Sequence, residues 1–285
     1  MHPSSRPVRS MLYIPGSKVR ALEKAKTLGA DAIIFDLEDA VAPDEKPAAR
    51  DLLGEVLTAG AYGARMTVLR VNGLDTEWGA DDLAASAAMA VDAVLLPKVN
   101  GPDDVDAAAL HAPKAVFWAM IETAEGVLKA LSIAKHPKMG GFVLGTNDLA
   151  KELGCATGGN RMPLMASLQM ALLGARAAGI SCVDGVYNAF KDDAGLKVEC
   201  EQGAMLGMDG KTLIHPAQLD IANAVFAPSE ADIEQAERTI AAHKAAVAAG
   251  EGVAVLDGKI VENLHVVTAE ATLAKARAIA ELEAI

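Results

Sequence analysis

Two acidic residues of this sequence end apolar runs, which is where catalytic and metal-binding carboxylates commonly lie. Glu122 follows VFWAMI, and Asp148 ends GFVLGTND. Two carboxylates held close together repel each other, so one becomes neutral unless a cation lies between them. A site with few protein oxygens and several retained waters is typical of Mg²⁺. The pair therefore predicts a magnesium site, although each residue could also be a helix N-cap or an ordinary rim charge.

Further charged residues end two neighbouring runs. Asp36, Glu38 and Asp39 end AIIFDLED, and Arg70 ends MTVLR. The acids can hold the waters of a bound cation. The planar guanidinium of Arg70 suits bidentate binding of a substrate carboxylate or stabilisation of an oxyanion. Its alternative role is a salt bridge to Asp36 or Glu122 that only holds the rim together.

Other reactive side chains give weaker signals. Lys98 follows AVLLP, and a desolvated lysine can form a Schiff base. Acids surround it, however, and would raise its pKa, so an ion pair is the favoured role. His215 could contact a ligand or support the rim. The motifs GxGxxG, GxxxxGK[ST] and GxSxG are absent, which leaves nucleotide binding of those kinds and serine-hydrolase chemistry unsupported.

Short apolar runs predict the strands that must position these residues. Helical patterns separate the runs, which cover 11–16, 32–39, 66–73, 93–99, 116–123, 141–148, 181–187 and 212–216. This alternation predicts a closed (β/α)8 barrel, with an open doubly wound sheet as the rival. Barrel enzymes place their active sites at the carboxyl ends of the strands. The polar residues named above should converge there, together with Asn72, Asn147, Asp184 and Tyr187.

A different pattern follows the eighth run. Residues 252–266, GVAVLDGKIVENLHV, show two alternating stretches around an Asp-Gly pair, which predicts a β-hairpin. Because eight strands precede it, the hairpin should lie outside the barrel. We therefore predict a catalytic barrel over residues 1–227 and a C-terminal extension over residues 228–285.

Composition limits the partners and the compartment. A net charge of −12 argues against nucleic acid or an anionic membrane as a partner. The three cysteines show no metal-ligand spacing and predict reduced thiols. No apolar run approaches the length that spans a bilayer, and no secretory signal begins the sequence. A cytoplasmic protein is expected.

Several segments together resemble the citrate lyase β-subunit-like family of CoA-ester lyases, within the HpcH/HpaI aldolase group, and most of all its malyl-CoA branch. They cover nearly the whole chain in the same order: RSMLYIPGS, GADAIIFDLEDAVAPDEKPAAR, LRVNGLDTEWG, LLPKV, MIETAEGVL, LGTNDLAKELG, DGVYNAF, GMDGKTLIHPAQL and GKIVENLH. The resemblance implies a TIM barrel that acts on CoA thioesters of short hydroxy dicarboxylic acids. It also implies Mg²⁺ as cofactor, with Mn²⁺ as the alternative.

The resemblance implies roles for individual residues. Glu122 and Asp148 would bind the metal and the substrate held on it, and Arg70 would bind substrate and act in catalysis. Lys18 and Arg20 would contact the phosphates of CoA. The metal waters would be held by Asp36, Glu38 and Asp39. The resemblance further implies a homo-oligomer, a trimer or hexamer, in which the C-terminal extension forms a lid over a neighbouring subunit.

One position departs from the family pattern. The lyases carry a catalytic Asp in a lid motif DGKMIDxP, where this chain reads DGKIVENLH, with Glu262 at the Asp position and Leu264 at the Pro position. Glu is one methylene longer, and moving a catalytic group by about 1 Å can cost roughly a hundredfold in rate. The favoured hypothesis is that Glu262 positions a water that hydrolyses a malyl-CoA thioester to malate and CoA.

Three alternatives stay open. The chain could cleave the carbon-carbon bond of malyl-CoA, β-methylmalyl-CoA or citramalyl-CoA, giving acetyl-CoA or propionyl-CoA and a 2-oxo acid. It could also be a subunit that works only within a citrate lyase complex. Glu262 itself could be a surface or subunit-contact residue without a catalytic role.

Overall fold

Eight parallel strands close into a barrel in the first of the two units into which the chain divides, Val8–Phe226 and Ala227–Ile285. The structure is a computed structural model, which describes residues 6–156 and 160–284. The strands pair in sequence order, and β8 returns to β1 with Ser10 opposite Lys211. They are β1 (Ser10–Pro15), β2 (Ala32–Asp36), β3 (Met66–Arg70), β4 (Ala93–Leu96), β5 (Phe117–Ile121), β6 (Met139–Leu144), β7 (Ser181–Asp184) and β8 (Gly210–Leu213). The predicted barrel is confirmed, and the open sheet is excluded.

Helices follow the strands and cover the outside of the barrel. Several end at a glycine in the left-handed region, such as Gly179 with φ of 72°, because glycine adopts that conformation without strain. The helices are α1 (Val19–Ala25), α2 (Lys46–Ala59), α3 (Gly79–Ser86), α4 (Pro102–His111), α5 (Ala124–Leu128), α6 (Ala130–Ala134), α7 (Thr146–Leu153), α8 (Met165–Ala178), α9 (Asp193–Leu206) and α10 (Leu219–Phe226), with 3₁₀ turns at Pro43–Glu45, Met162–Leu164 and Pro216–Gln218.

Strand alternation decides which side chains reach the barrel interior. Successive residues of a strand point to opposite faces, so Met11, Ile34, Val68 and Met120 pack together in the lumen. Their strand neighbours pack against the helices, in the larger core that includes Leu12, Ile33, Leu69 and Ile121. The lumen is therefore filled, and a site can form only above its top layer.

Most strands end before the predicted limits, because the polar residues behind them form turns. After β2, the carboxylate of Asp36 accepts the backbone N–H groups of Glu38 at 2.9 Å and Ala40 at 3.1 Å. These bonds bend the chain away from the sheet. The predicted strand 32–39 therefore ends at residue 36, and Glu38 and Asp39 lie in the turn.

The second unit contains a helix, a hairpin and a helix: α11 (Glu230–Ala249), β9 (Ala254–Leu256), β10 (Lys259–Val261) and α12 (Asn263–Glu283). The strands are antiparallel. Asp257 and Gly258 between them both have positive φ, 50° and 76°, as a type I′ turn requires. The predicted hairpin is confirmed.

The second hairpin strand is shorter than the alternating pattern indicates. It ends at Val261, and α12 begins at Asn263 with Glu262 as its N-cap. The ring Nδ1 of His265 accepts the backbone N–H of Glu262 at 2.9 Å, which satisfies a donor at the helix start. The strand assignment of residues 262–266 was wrong because this local bond favours a helix.

None of the helices in the described ranges combines the length and the apolar character that a membrane span requires. The three cysteines are free thiols, and burial raises the pKa of Cys200 to about 12, so this thiol stays protonated and inert. The roles of the two units as catalytic domain and lid stay predictions, as does the cytoplasmic location.

Candidate active site

Arg70 lies at the carboxyl end of the barrel, held by the acids that follow β2. It is the last residue of β3, and Asp36, the last residue of β2, lies directly opposite in the strand pairing. Both side chains therefore point to the interior side of the barrel. Arg70 donates from Nε and Nη2 to the two carboxylate oxygens of Asp36, at 2.7 and 2.5 Å. Its Nη1 lies 2.8 Å from Glu38 and 3.4 Å from Asp39. The predicted salt bridge to Asp36 is therefore present.

Lys46, which sequence reasoning missed, holds the turn that carries these acids. Its buried ammonium donates to the carbonyl oxygens of Leu37 and Glu38, at 2.9 and 2.7 Å, and to Oδ1 of Asn72 at 2.7 Å. Burial lowers the pKa of Lys46, against the opposing effect of Asp36 and the other nearby acids. Because a backbone carbonyl has no sequence signature, nothing in the sequence points to this contact.

Glu122 faces the lumen directly after β5 and is almost fully buried. It is not a helix N-cap, because Thr123 caps α5. Burial raises the pKa of Glu122 to about 7; the N–H of Lys98 lowers the pKa, and Glu38 and Asp148 raise it. A Cβ at position 145 would collide with the Glu122 carboxylate, so glycine is required there.

Lys98 fixes the Glu122 carboxylate through its backbone. Its φ of 49° lies in the left-handed region that non-glycine residues rarely adopt, and its N–H donates to Oε1 of Glu122 at 2.8 Å. The half-exposed side chain reaches Glu38 at 3.4 Å. Burial lowers the pKa of Lys98, but Glu38 and the other acids raise it above the ordinary value. The predicted ion pair is present, and a raised pKa disfavours Schiff-base chemistry.

Asp148 lies in the first turn of α7, half-buried, and is near enough to Glu122 to raise the pKa of that carboxyl. The N-cap of α7 is Gly145, so the N-cap alternative fails for Asp148 also. A carboxylate in a first turn is favoured by the helix dipole.

The two carboxylates fit a hydrated magnesium ion. No group of three or more acidic, histidine or cysteine side chains in the described ranges forms a complete protein cage for a metal. Mg²⁺ commonly takes one or two carboxylates and keeps several waters. Glu122 is buried, and its raised pKa means that the neighbouring cations do not balance its charge. A bound divalent ion would offset the free-energy cost of burying this charge.

Several predicted rim residues do not join the site. Asp184 is out of phase, since Val183 faces the lumen, and it binds the buried Arg161 and Lys211 on the helix side of the barrel. Asn72 holds Lys46. Tyr187 binds Asp192 in the loop after β7, and the His215 ring accepts the Ala217 N–H. Asn147, at the start of α7, exchanges hydrogen bonds with Asn188 in the loop after β7. The expectation that all of them converge was wrong.

Lys18 lies between β1 and α1 as the N-cap of α1, and Arg20 lies in the first turn of that helix; both are exposed. Lys18 forms an ion pair with Glu45 at 3.5 Å. Both residues are at the carboxyl side of the barrel, where the acids and Arg70 lie. Glu262 belongs to the second unit and is exposed. The roles of all these site residues stay predictions.

Sequence comparison identifies related proteins. A family described as HpcH/HpaI aldolase/citrate lyase matches residues 9–216. The chain is 61% identical over 280 residues to a (3S)-malyl-CoA thioesterase of Cereibacter sphaeroides, a match that covers 98% of each protein. It is 34% identical over 284 residues to citrate lyase subunit beta of Escherichia coli K12, covering 95% of this chain and 94% of that protein.

Solved structures share the fold. Protein CitE from Mycobacterium tuberculosis, in complex with magnesium, acetoacetate and coenzyme A, has a TM-score of 0.80 at 30% sequence identity, over 96% of this chain and 100% of that one. RipC from Yersinia pestis has a TM-score of 0.69 at 28% identity, over 81% of this chain and 100% of that one.

Proposed function

The chain belongs to the HpcH/HpaI aldolase/citrate lyase family, and we propose that it hydrolyses the thioester of (3S)-malyl-CoA, releasing malate and CoA. The observation that carries this proposal is the 61% identity over 98% of both chains with a relative of that name. The barrel mouth supports it, because the buried Glu122, the half-buried Asp148 and Arg70 lie there together with the basic residues that follow β1.

Glu122 and Asp148 would hold Mg²⁺, with Mn²⁺ as the alternative, and the waters of the ion would lie towards Asp36, Glu38 and Asp39. The bound metal supplies Lewis-acid polarisation of a substrate oxygen. Arg70 would contact the substrate and oppose negative charge on the thioester carbonyl. The acids that bind Arg70 hold its guanidinium in one orientation before the substrate binds. Such preorganisation makes a charged group effective in catalysis.

Lys18 and Arg20 would contact the phosphates of CoA. Both are exposed at the mouth, and Lys18 pairs with Glu45 only at 3.5 Å, with both side chains about half exposed. An exposed pair of this kind contributes little to stability. Lys18 can therefore exchange Glu45 for a phosphate at small cost.

The second unit would act as a lid over a neighbouring subunit of a homo-oligomer, a trimer or hexamer. Its hairpin and the start of α12 expose an apolar set: Val253, Val255, Ile260, Leu264 and Val267. Large exposed apolar patches commonly mark interfaces. Glu262 lies within this set in the sequence, so a subunit covered by it would receive that carboxylate, which would position the attacking water.

The alternative activity is carbon-carbon cleavage of malyl-CoA or a close analogue. The citrate lyase relatives at 34% identity favour it, and the same metal and arginine would serve both reactions. A chain that works only inside a citrate lyase complex is the third possibility.

Incubating the purified protein with (3S)-malyl-CoA and Mg²⁺, and following free thiol and glyoxylate in parallel, separates the three. Thiol without glyoxylate supports hydrolysis, and glyoxylate with acetyl-CoA supports the lyase. If neither free thiol nor glyoxylate is formed, only the complex-dependent subunit remains. If activity survived EDTA, the metal assignment would be wrong.

Glu262→Gln is expected to lower kcat for malyl-CoA about a hundredfold, because the carboxylate that orients the water is lost, with the Mg²⁺ affinity unchanged. Glu262→Asp restores the family residue and should raise the share of glyoxylate among the products. Glu251→Gln, an exposed change in the same unit, is the control and should keep the wild-type rate. A full rate in Glu262→Gln would remove Glu262 from the mechanism.

Magnesium binding should weaken as the pH falls, because a proton competes for Glu122. Burial raises the pKa of this carboxyl to about 7, and metal ligands bind in the deprotonated form. We expect roughly tenfold weaker Mg²⁺ binding at pH 6 than at pH 8. Calorimetric titration of metal-free protein measures this, and an affinity independent of pH over that interval would contradict it.

A further inference from the structure

Tyr13 is a side chain of the barrel mouth to which neither the sequence nor the comparisons give a role. It lies on β1, two residues after Met11 and therefore in the inward phase. Its ring centroid is 4.8 Å from Cζ of Arg70. The residues of the lumen cluster are buried, whereas Tyr13 packs on that cluster and stays partly exposed. Its ring therefore extends from the filled lumen to the open mouth.

The hydroxyl of Tyr13 has no hydrogen-bond partner among the described residues, whereas the other two tyrosine hydroxyls do. Tyr62 donates to the carbonyl of Leu22 at 3.2 Å, and Tyr187 donates to Asp192 at 2.7 Å. A buried or half-buried tyrosine O–H usually finds a partner. The donor of Tyr13 is thus available to a molecule that enters the mouth.

The hydroxyl of Tyr13 lies close enough to the candidate catalytic groups for their charges to shift its pKa. Burial raises the pKa of Tyr13; Arg70 lowers it, and Asp36, Glu122 and Glu38 raise it. The net direction is upward, so the phenol keeps its proton at every pH at which the enzyme would work. Tyr13 can donate a hydrogen bond but cannot act as a base.

Most of the N–H donors of Arg70 are already directed at neighbouring side chains. Nε and Nη2 donate to Asp36, and Nη1 donates to Asp39 and towards the sulfur of Met120. Its charge is opposed by the carboxylates around it. A further donor that no carboxylate already holds would strengthen the stabilisation of negative charge on a substrate oxygen in this acidic mouth.

We propose that the Tyr13 hydroxyl donates a hydrogen bond to the thioester carbonyl oxygen of the substrate as negative charge develops there, beside Arg70. The assignment rests on the proposed CoA-thioester function. It is the same for both reactions, since hydrolysis places the charge on a tetrahedral oxyanion and carbon-carbon cleavage places it on an enolate oxygen. Only a hydrogen bond forms, and no proton is transferred.

Tyr13→Phe tests the proposal, because it keeps the ring on Arg70 and removes only the donor. We expect kcat for malyl-CoA to fall by about a hundredfold, the scale of losing one oxyanion donor, with KM within about threefold. The pH-rate profile should keep its shape. Tyr62→Phe is the matched control: it removes a bonded hydroxyl far from the mouth, so it should lower the thermal midpoint and leave kcat unchanged.

A second measurement does not depend on turnover. Acetoacetyl-CoA with Mg²⁺ serves as the probe, and the ultraviolet absorbance of its enolate reports how well the site stabilises an anionic thioester oxygen. Tyr13→Phe should raise the pH at which the bound enolate forms by at least about one unit, a tenfold loss of stabilisation. Thermal unfolding shows that the variant is folded.

The outcomes are distinct. If wild-type protein leaves malyl-CoA unchanged, the proposed function fails, and the enolate titration still tests Tyr13. A lower kcat with an unchanged enolate titration would assign Tyr13 to packing and overturn the proposal. If the wild-type enzyme turns over malyl-CoA and Tyr13→Phe has the same kcat, the proposal is overturned as well.

Discussion

Glu122→Gln should abolish turnover of malyl-CoA and at the same time make the metal-free protein more stable at pH 8. The carboxylate is buried, and burial raises its pKa to about 7, so folding at pH 8 encloses a charge that water would otherwise solvate. The amide is neutral and nearly isosteric. It can still accept the Lys98 N–H through its oxygen, but it is a poor ligand for Mg²⁺. We expect a gain of roughly 1 to 3 kcal/mol in unfolding free energy.

The pH dependence follows from the direction of the shift. Between the ordinary carboxyl pKa of 4.5 and about 7, the folded state holds more protons at Glu122 than the unfolded state does. The wild-type protein without metal therefore loses stability from this group as the pH rises through that window, whereas Glu122→Gln does not. The two thermal midpoints should converge near pH 4 and separate by pH 8.

Thermal unfolding with and without Mg²⁺ at pH 8 checks both parts. Ligand that binds only the folded state raises the midpoint, so Mg²⁺ should stabilise wild type and leave Glu122→Gln unchanged. Glu125→Gln, an exposed change on α5, should behave as wild type in midpoint, metal response and turnover. A less stable Glu122→Gln protein without metal would show that the carboxylate is balanced by its neighbours.

The barrel could be predicted because its signal is local. Each strand is a short apolar run, each helix has its own period, and a parallel sheet needs both in alternation. The ends were less accurate because side chains of the turns decide them. The hydrogen bonds of Asp36 to the N–H groups of Glu38 and Ala40 end β2 three residues before the apolar pattern suggests.

The placement of the candidate site residues depended on strand phase as well as strand position. Asp36, Arg70 and Glu122 continue the inward alternation of Ile34, Val68 and Met120, and the structure brings them together. Asp184 also ends a strand but follows the inward Val183, so it points to the helices. Counting in steps of two from the apolar residues would have separated these cases.

Contacts that join distant segments could not be read from the sequence. Lys46 holds the carbonyl groups of the β2 turn from the start of α2, and Tyr13 on β1 contacts Arg70 on β3, past the intervening β2. Neither depends on a motif or a period. They follow from how strands and helices pack, and sequence alone does not supply that geometry.

Asp184→Asn should be the most destabilising of the changes considered, although Asp184 lies outside the candidate site. Its carboxylate accepts two bonds from Nη1 of Arg161, at 2.8 and 2.9 Å, and lies 3.4 Å from Nζ of Lys211, which also contacts Glu199 at 2.7 Å. Asp184 and Lys211 are fully buried. Burial alone would raise the pKa of Asp184, but Lys211 and Arg161 hold it below the ordinary value.

Asparagine would leave two buried cations facing one remaining acid, Glu199. Breaking a buried pair by removing one partner costs about 3 to 5 kcal/mol, because an uncompensated charge stays behind, which corresponds to roughly 6 to 20 °C in thermal midpoint. Asp81→Asn is the matched control, because the Asp81 carboxylate is 72% exposed and forms a weak ion pair with Arg50 at 3.4 Å. The loss of this exposed ion pair should lower the free energy of unfolding by less than about 1 kcal/mol. Differential scanning calorimetry measures the thermal midpoints of both variants.

Equal midpoints would mean that Arg161 and Lys211 find water or other acceptors when Asp184 is lost. A large difference would assign this cluster to holding β7, β8 and α9 together, independently of the chemistry at the mouth.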